Sequence, residues 1–239
     1  MSGYLLRQTL LAAAVLYCLT PPLACAGGIR LGSTRAIYSD TQKQIGLAVR
    51  NTSDKQPFWV QSWVEGADGH KTQDFRVTPP LYLSEPGKAN TLRLTYVGRP
   101  AKQNEETLYY FRSRAIPALS KKETEGRDLL LLAAVTRIKL FLRPAGLTPA
   151  VDDAPAQLSF HRSGNAVRID NPTPYHITLT QINSGGEPLE DVMVNPHASA
   201  TVALPSAASS SVSFHTINDA GAITPQKQAA LLSDLSGKR

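Results

Sequence analysis

Leu129-Leu130-Leu131-Leu132-Ala133-Ala134-Val135-Thr136-Arg137-Ile138-Lys139-Leu140-Phe141-Leu142-Arg143 is the stretch from which the rest of this sequence is best read. It is too long and too apolar for an ordinary sandwich strand of about five or six residues. Taken alone it reads as a buried central strand, or as a helix opened by leucines. An exposed apolar edge of this length is an aggregation hazard unless another protein pairs with it. The segment just before it, 120–127, carries two lysines, two glutamates and Gly126 and reads as a polar loop. A free edge beside such a loop invites a partner chain.

Upstream of this run, from Ile29 onward, short apolar alternations are cut by turn residues, which is the pattern of an all-β domain. Ile45, Leu47 and Val49 alternate before the cluster Asn51-Thr52-Ser53-Asp54. Phe58, Val60 and Ser62 alternate against Trp59, Gln61 and Trp63, and residues 66–69 supply a hairpin turn. Leu92, Leu94 and Tyr96 follow the turn Glu85-Pro86-Gly87, and Tyr109, Phe111 and Ser113 precede Ile116-Pro117. This spacing predicts about seven strands before Arg143, which is what an immunoglobulin-like sandwich needs.

Downstream, Arg143-Pro144-Ala145-Gly146-Leu147-Thr148-Pro149 reads as an interdomain corner, because proline and glycine do not continue a central strand. A second β series follows at 158–161, 166–170, 176–182, 192–194, 199–203 and 212–217. Turns such as Ser184-Gly185-Gly186 and Asn218-Asp219-Ala220-Gly221 separate these strands. The serine-rich 206–211 reads as a loop, and the residues beyond about 232 as a frayed end. The expected division is 27–143 for a first domain, 144–149 for a linker and 150–239 for a second domain.

The opening 1–26 has one basic residue, Arg7, then the apolar run LLAAAVLYCL, two prolines and the small-residue ending Ala24-Cys25-Ala26. It reads as a secretory signal peptide cleaved after Ala26; the run is short for a membrane span of about 20 residues. Leu23-Ala24-Cys25 offers a rival reading, a lipoprotein site with Cys25 as the acylated first residue. Both cysteines, Cys18 and Cys25, lie in this segment, so a mature chain cleaved after Ala26 has no disulfide and depends on burial for its stability. What remains of the 239 residues suffices for two domains of ordinary size.

The formal charge of +6 is spread without a dense basic run or an aromatic-interleaved motif, which argues against nucleic acid as partner. The histidines at 70, 161, 176, 197 and 215 show no metal-ligand spacing. No nucleophile elbow, phosphate-cradling loop or dinucleotide fingerprint occurs. Asp152-Asp153 reads as a solvated turn, not an acid/base pair. The chain is expected to be no enzyme and to need no cofactor or metal. A reading from another class is an exported adhesion or structural module, with Trp59 and Trp63 sharing one strand face to contact sugar or protein; two such indoles are more often core or rim packing.

Several segments resemble the periplasmic pilus-assembly chaperones, the PapD-like family. Leu31-Gly32-Ser33-Thr34-Arg35-Ala36-Ile37-Tyr38 is similar to its first strand and Val77-Thr78-Pro79-Pro80 to its early corner. Glu106-Thr107-Leu108-Tyr109-Tyr110-Phe111 with Arg114-Ala115-Ile116-Pro117 is similar to its sixth strand. Thr136-Arg137-Ile138-Lys139-Leu140-Phe141-Leu142-Arg143-Pro144 resembles its most diagnostic segment. Asp170-Asn171-Pro172-Thr173-Pro174-Tyr175 and Ile217-Asn218-Asp219-Ala220-Gly221 agree in the second domain.

The resemblance implies an all-β fold of two immunoglobulin-like β-sandwich domains at an angle around an interdomain cleft. It implies a periplasmic chaperone for pilus or fimbrial subunits, acting by donor-strand complementation and delivering each subunit to an outer-membrane usher. Arg35 and Lys139 are implied as anchors of the subunit's terminal carboxylate, and Leu130, Leu132 and Ala134 as the alternating face presented to it. Lys139 falls in the opposite phase, which calls for a bend or bulge near Thr136 or for a face turned to the cleft. Ala134 departs from the family, where that side chain is usually bulkier. Glu106, Arg143 and Asp219 are implied as a structural ionic bridge between the domains. The short loop 116–127 points to the branch serving rod-like pili, no membrane span remains after signal cleavage, and the unoccupied edge can self-associate.

Overall fold

The computed structural model describes residues 27–119, 131–204 and 210–233. The expected signal segment 1–26 and the residues Leu129 and Leu130 lie outside them. The first domain holds β1 (Ile29–Leu31), β2 (Arg35–Ser39), β3 (Ile45–Asn51), β4 (Phe58–Gly66), β5 (Phe75–Thr78), β6 (Leu81–Ser84), β7 (Ala89–Tyr96), β8 (Thr107–Pro117) and β9 (Ala134–Arg143). These form a four-stranded sheet, β1-β3-β7-β5, facing a five-stranded one, β2-β9-β8-β4-β6. The larger strand count than expected has a local cause. β1 and β2 are one strand that changes sheets across Gly32-Ser33-Thr34, and β5 and β6 are another that changes sheets at Pro79-Pro80. Gly32 suits the first crossing, since a Cβ there would lie 2.9 Å from Ala48 Cβ.

Period-2 alternation fills the space between the sheets. Leu47, Val49, Leu92 and Leu94 from one sheet meet Val64, Phe111, Ile138, Leu140 and Leu142 from the other, all buried. Edge-on contacts link Phe75 to Tyr38, Tyr96 and Tyr109, with centroids 5.0–5.5 Å apart.

The second domain begins with a short 3₁₀ turn at Ala154–Gln157, then β10 (Ser159–Ser163), β11 (Ala166–Asn171), β12 (Ile177–Ser184), β13 (Glu187–Pro188), β14 (Val192–Val194), β15 (Ala198–Ala203), β16 (Ser211–Thr216) and β17 (Lys227–Ser233). β17 pairs antiparallel with β16 and parallel with β10, joining two halves that curl over a separate core around Phe160, Ile169, Leu179 and Phe214. Two buried asparagines hold loops in place of backbone partners. Asn51 Nδ2 donates to Gln56 O and Ser84 O, and Asn171 Nδ2 donates to Tyr175 O, Val194 O and Asn195 O.

β9 corrects the reading of 129–143 as one continuous strand. The regular strand starts at Ala134, where its ladder with β8 ends at Ala115↔Ala134; β8 itself runs on through Ile116 and Pro117 against β4. Residues 131–133 have no ladder partner among the described residues, and Leu132 is 74% exposed. The pairing with β8 runs from Ala115↔Ala134 to Thr107↔Leu142 without a register shift, so there is no bulge at Thr136. The apolar run has two physical causes. Within 138–142 every residue but Lys139 is apolar because both faces are covered, Ile138, Leu140 and Leu142 by the first core and Phe141 by the second domain. Residues 131–135 have no such cover: Leu131, Leu132 and Val135 are all exposed.

Candidate functional site

β9 has β8 along one side, but β2 covers its other side only from Lys139 to Arg143. Among the described residues, the backbone of 134–138 is therefore left as an open edge. That edge ends at the first rung of the parallel β2–β9 ladder, Arg35↔Lys139. Strand alternation puts the odd residues Lys139, Phe141 and Arg143 on the outer face of the sheet, beside Arg35 and Ile37, where the second domain packs. Ala134 belongs to the other face, in phase with the core residues Ile138, Leu140 and Leu142. The opposite phases of the edge and the cation need no distortion of the chain.

Arg35 is 7% exposed and Lys139 half-buried. Arg35 Nη1 donates to Ile217 O at 2.9 Å, its guanidinium lies 5.8 Å from the Phe141 ring centroid, and its Nε is buried without a partner among the described residues. Lys139 Nζ donates to Thr178 Oγ1 at 3.1 Å. The ion pairs at this end of the molecule involve Arg143 and leave these two cations without a carboxylate among the described residues. Burial pushes Arg35 below its ordinary value, partly offset by the more distant charges of Asp219 and Glu106. Burial and then the Arg35 charge push Lys139 down. Two like charges, both partly desolvated and neither ion-paired among the described residues, make a receptor for an anion.

Glu106, Arg143 and Asp219 form one network across the domains. Arg143 Nε donates to Glu106 Oε1 at 2.5 Å, and its two terminal nitrogens donate to Asp219 Oδ2 and Oδ1 at 2.5 and 2.7 Å. Burial alone would lower Arg143, but the bonds and charges of Asp219 and Glu106 outweigh it and hold the guanidinium above its ordinary value. Glu106 also accepts from the His176 backbone N–H at 2.9 Å, so it fixes the start of the second domain's β12. Between the domains, a cavity of about 310 Å³ is lined by Arg35, Phe141, Arg143, Ile217 and Asp219 among others.

These surroundings are not visible in the sequence. Thr178, the carbonyl of Ile217, Phe141 beneath Arg35 and the backbone of His176 all reach the cleft from elements distant in the chain. Of the residues expected to face a subunit, Ala134 is exposed at the start of the open edge and Leu132 is exposed just before it, while Leu130 lies outside the described residues. Trp59 and Trp63 do share a face, and it is the outer one: Trp59 is 44% exposed, and Trp63 is half-covered by the Arg114 guanidinium at 5.4 Å and donates Nε1–H to Glu65 at 2.9 Å.

Residues 28–148 match the family described as "Pili and flagellar-assembly chaperone, PapD N-terminal domain", and residues 153–228 match "Pili assembly chaperone PapD, C-terminal domain". The chain belongs to the PapD family of pilus-assembly chaperones. The chaperone protein FimC of Escherichia coli (strain K12) is 45% identical over 201 residues, 83% of this chain and 83% of its own. Among solved structures, the periplasmic chaperone SfaE is 38% identical with a TM-score of 0.74, covering 85% of this chain and 100% of that one. The SafB chaperone of Salmonella enterica, solved in complex with the SafA pilin, is 29% identical with a TM-score of 0.77, over 85% and 96% of the two chains. The PapD family consists of chaperones without enzymatic activity, and the two-domain β fold is shared with these relatives. Membership displaces the reading of the chain as a free-standing adhesion module.

Proposed function

We propose that this protein is a periplasmic chaperone that completes pilus subunits by donor-strand complementation and then delivers them to an outer-membrane usher. One observation carries the reading: the open edge of β9 ends at the rung where the Arg35 and Lys139 cations stand. A subunit strand whose terminal carboxylate is held at Lys139, and whose body lies along 134–138, runs in the same direction as β9. It sits end to end with β2 on the same side of β9, and its amides and carbonyls close the unpaired ones of the edge. Strand addition of this kind is the established mode of assembly in chaperone–pilin complexes, and it comes to this chain through its family.

Leu130, Leu132 and Ala134 then face the subunit's own core, with each fully buried leucine contributing about 1.5–3 kcal/mol. Leu132 at 74% exposure supports this, since little in the free protein covers it. The carboxylate gains charge-assisted hydrogen bonds of about 1.5–3 kcal/mol each from Arg35 and Lys139. Glu106, Arg143 and Asp219 fix the angle at which the second domain presents Ile217 and Thr178 to the two cations. Export through the segment 1–26, with cleavage after Ala26, and the periplasmic site of the relative SfaE support the compartment.

The test is calorimetric titration of the protein with the C-terminal peptide of its cognate subunit, made as the free acid and as the amide. The acid is expected to bind and the amide to lose about tenfold or more, the effect of one charge-assisted contact. Equal affinity for both contradicts carboxylate anchoring.

A further inference from the structure

The turn at 217–222 touches the first domain at three points. Ile217 O accepts from Arg35 Nη1, the Asp219 carboxylate holds Arg143 through both oxygens, and Gly221 abuts Thr34, the residue just before β2. The third contact has no polar bond. Gly221 has a φ of +81°, and a Cβ added there would stand 3.5 Å from Thr34 Cβ and far inside the contact distance of Thr34 Oγ1.

The turn cannot retreat alone. Gly221 N–H donates to Asn218 O at 2.9 Å, Ala222 N–H donates to Asn218 Oδ1 at 2.9 Å, and Asn218 N–H donates to Ala222 O at 3.0 Å. Moving Gly221 away from Thr34 therefore moves Asp219 and Ile217 with it. Thr34 is equally constrained, since it ends the crossing from β1 to β2 and its branched side chain is stiff at χ1. Exchanging its hydroxyl for its methyl relieves nothing.

We propose that Gly221 and Thr34 form a steric spacer that sets the opening of the cleft at the carboxylate anchor, making Gly221 a positioning residue for Arg35. This rests on the reading of Arg35 and Lys139 as that anchor. The ionic network draws the domains together, and the van der Waals contact stops them. Repulsion at short range is steep, so one methyl group at Gly221 drives the start of β2 away from Ile217. The Arg35 Nη1 bond to the Ile217 carbonyl lengthens and the two cations lose their common orientation.

Full-length variants Gly221→Ala, Thr34→Ala, their double mutant and Thr34→Leu test the spacer. Gly164→Ala serves as the control for strain alone, because Gly164 has a φ of +58° with nothing within 4 Å of an added Cβ. The interdomain distance is read without any subunit, by pulsed electron resonance between labels on Lys88→Cys and Thr201→Cys. Affinity is read separately with the cognate subunit's C-terminal peptide acid. Gly221→Ala and Thr34→Leu are expected to shift the distance and lower affinity about tenfold, and adding Thr34→Ala to Gly221→Ala to restore both to within about threefold. Gly164→Ala is expected to change neither, and Thr34→Ala to move the distance in the opposite direction to Gly221→Ala. An unmoved distance in both Gly221→Ala and Thr34→Leu, or a double mutant no better than Gly221→Ala, overturns the proposal. If Gly221→Ala fails to fold, Thr34→Leu decides, as it enlarges the same contact without straining the turn. The distance is independent of any ligand. If Arg35→Ala binds the peptide like wild type, the anchor reading fails while the spacer is still judged on the distance.

Discussion

Arg35 and Lys139 form the first rung of the parallel β2–β9 ladder, and both carry desolvated charge toward the second domain with no carboxylate among the described residues to meet it. A receptor of this kind is held ready at a cost to the free protein. Lys139→Met keeps the length of the stem and removes the charge, so it is expected to leave the melting temperature of the free chaperone unchanged or raised. The same variant is expected to lose about tenfold or more in affinity for the subunit peptide acid. Melting and titration on one preparation check both halves.

The alkaline limb of stability carries the same signature. Lys139 sits below its ordinary 10.5 because of burial and the Arg35 charge, so the folded chain releases this proton at lower pH than the unfolded chain. Between the two values the unfolded state binds more protons, and stability rises with pH. Tyr82, Tyr96, Tyr109 and Tyr175, raised by burial, act in the opposite sense above their ordinary 10.0. The difference between wild type and Lys139→Met isolates the lysine. The advantage of the methionine variant is expected to be largest near neutrality and to vanish as pH approaches 10.5. A gap constant with pH contradicts the desolvated ammonium.

Glu106 is the buried end of the interdomain network, with its side chain 1% exposed against 39% for Asp219. Arg143→Met leaves Glu106 uncompensated and is expected to cost about 3–5 kcal/mol. Asp219→Asn touches the solvated arm and is expected to cost no more than about 1 kcal/mol. Chemical denaturation of the two variants checks the order, and equal losses contradict it.

Leu132→Ser is expected to leave the unfolding midpoint of the free protein unchanged, because Leu132 is largely exposed in it. Its complex with the subunit is expected to weaken by about tenfold or more, the transfer of one leucine side chain. Ala134→Leu is the companion variant. A further loss identifies a shallow pocket at that position, and a gain identifies an unfilled one. Size-exclusion of co-expressed chaperone and subunit, with titration of the purified variants, reads both.

The strands that alternate cleanly are legible in the sequence itself. Leu47 and Val49, Leu92 and Leu94, and Phe111 and Ser113 all point inward at the positions their period gives. What the period does not carry is the change of sheet at Gly32-Ser33-Thr34 and at Pro79-Pro80, where one strand serves two ladders. β17, with the weak strand formers of Lys-Gln-Ala-Ala-Leu-Leu-Ser, reads in sequence as the approach to a frayed end, yet it joins both halves of the second domain. Motif resemblance alone singles out Arg35 and Lys139. Nothing local announces Thr178 or the Ile217 carbonyl, because they meet the cations only when the second domain docks. The run 129–143 is legible as exceptional, but its two causes, a doubly covered half and an uncovered half, are separable only once β2 is seen to begin at Arg35.

The register of the borrowed edge can be read directly. A photo-crosslinking residue placed in turn at Leu132, Ala134 and Thr136 of the full chain, in complex with the cognate subunit, reports which subunit residue lies beside each position. A parallel strand anchored at Lys139 predicts that the crosslinked residue moves toward the subunit's C-terminus as the probe moves from Leu132 to Thr136, and that Arg35→Ala scatters the pattern. Crosslinks that move in the reverse order, or that fall outside the subunit's last strand, contradict it.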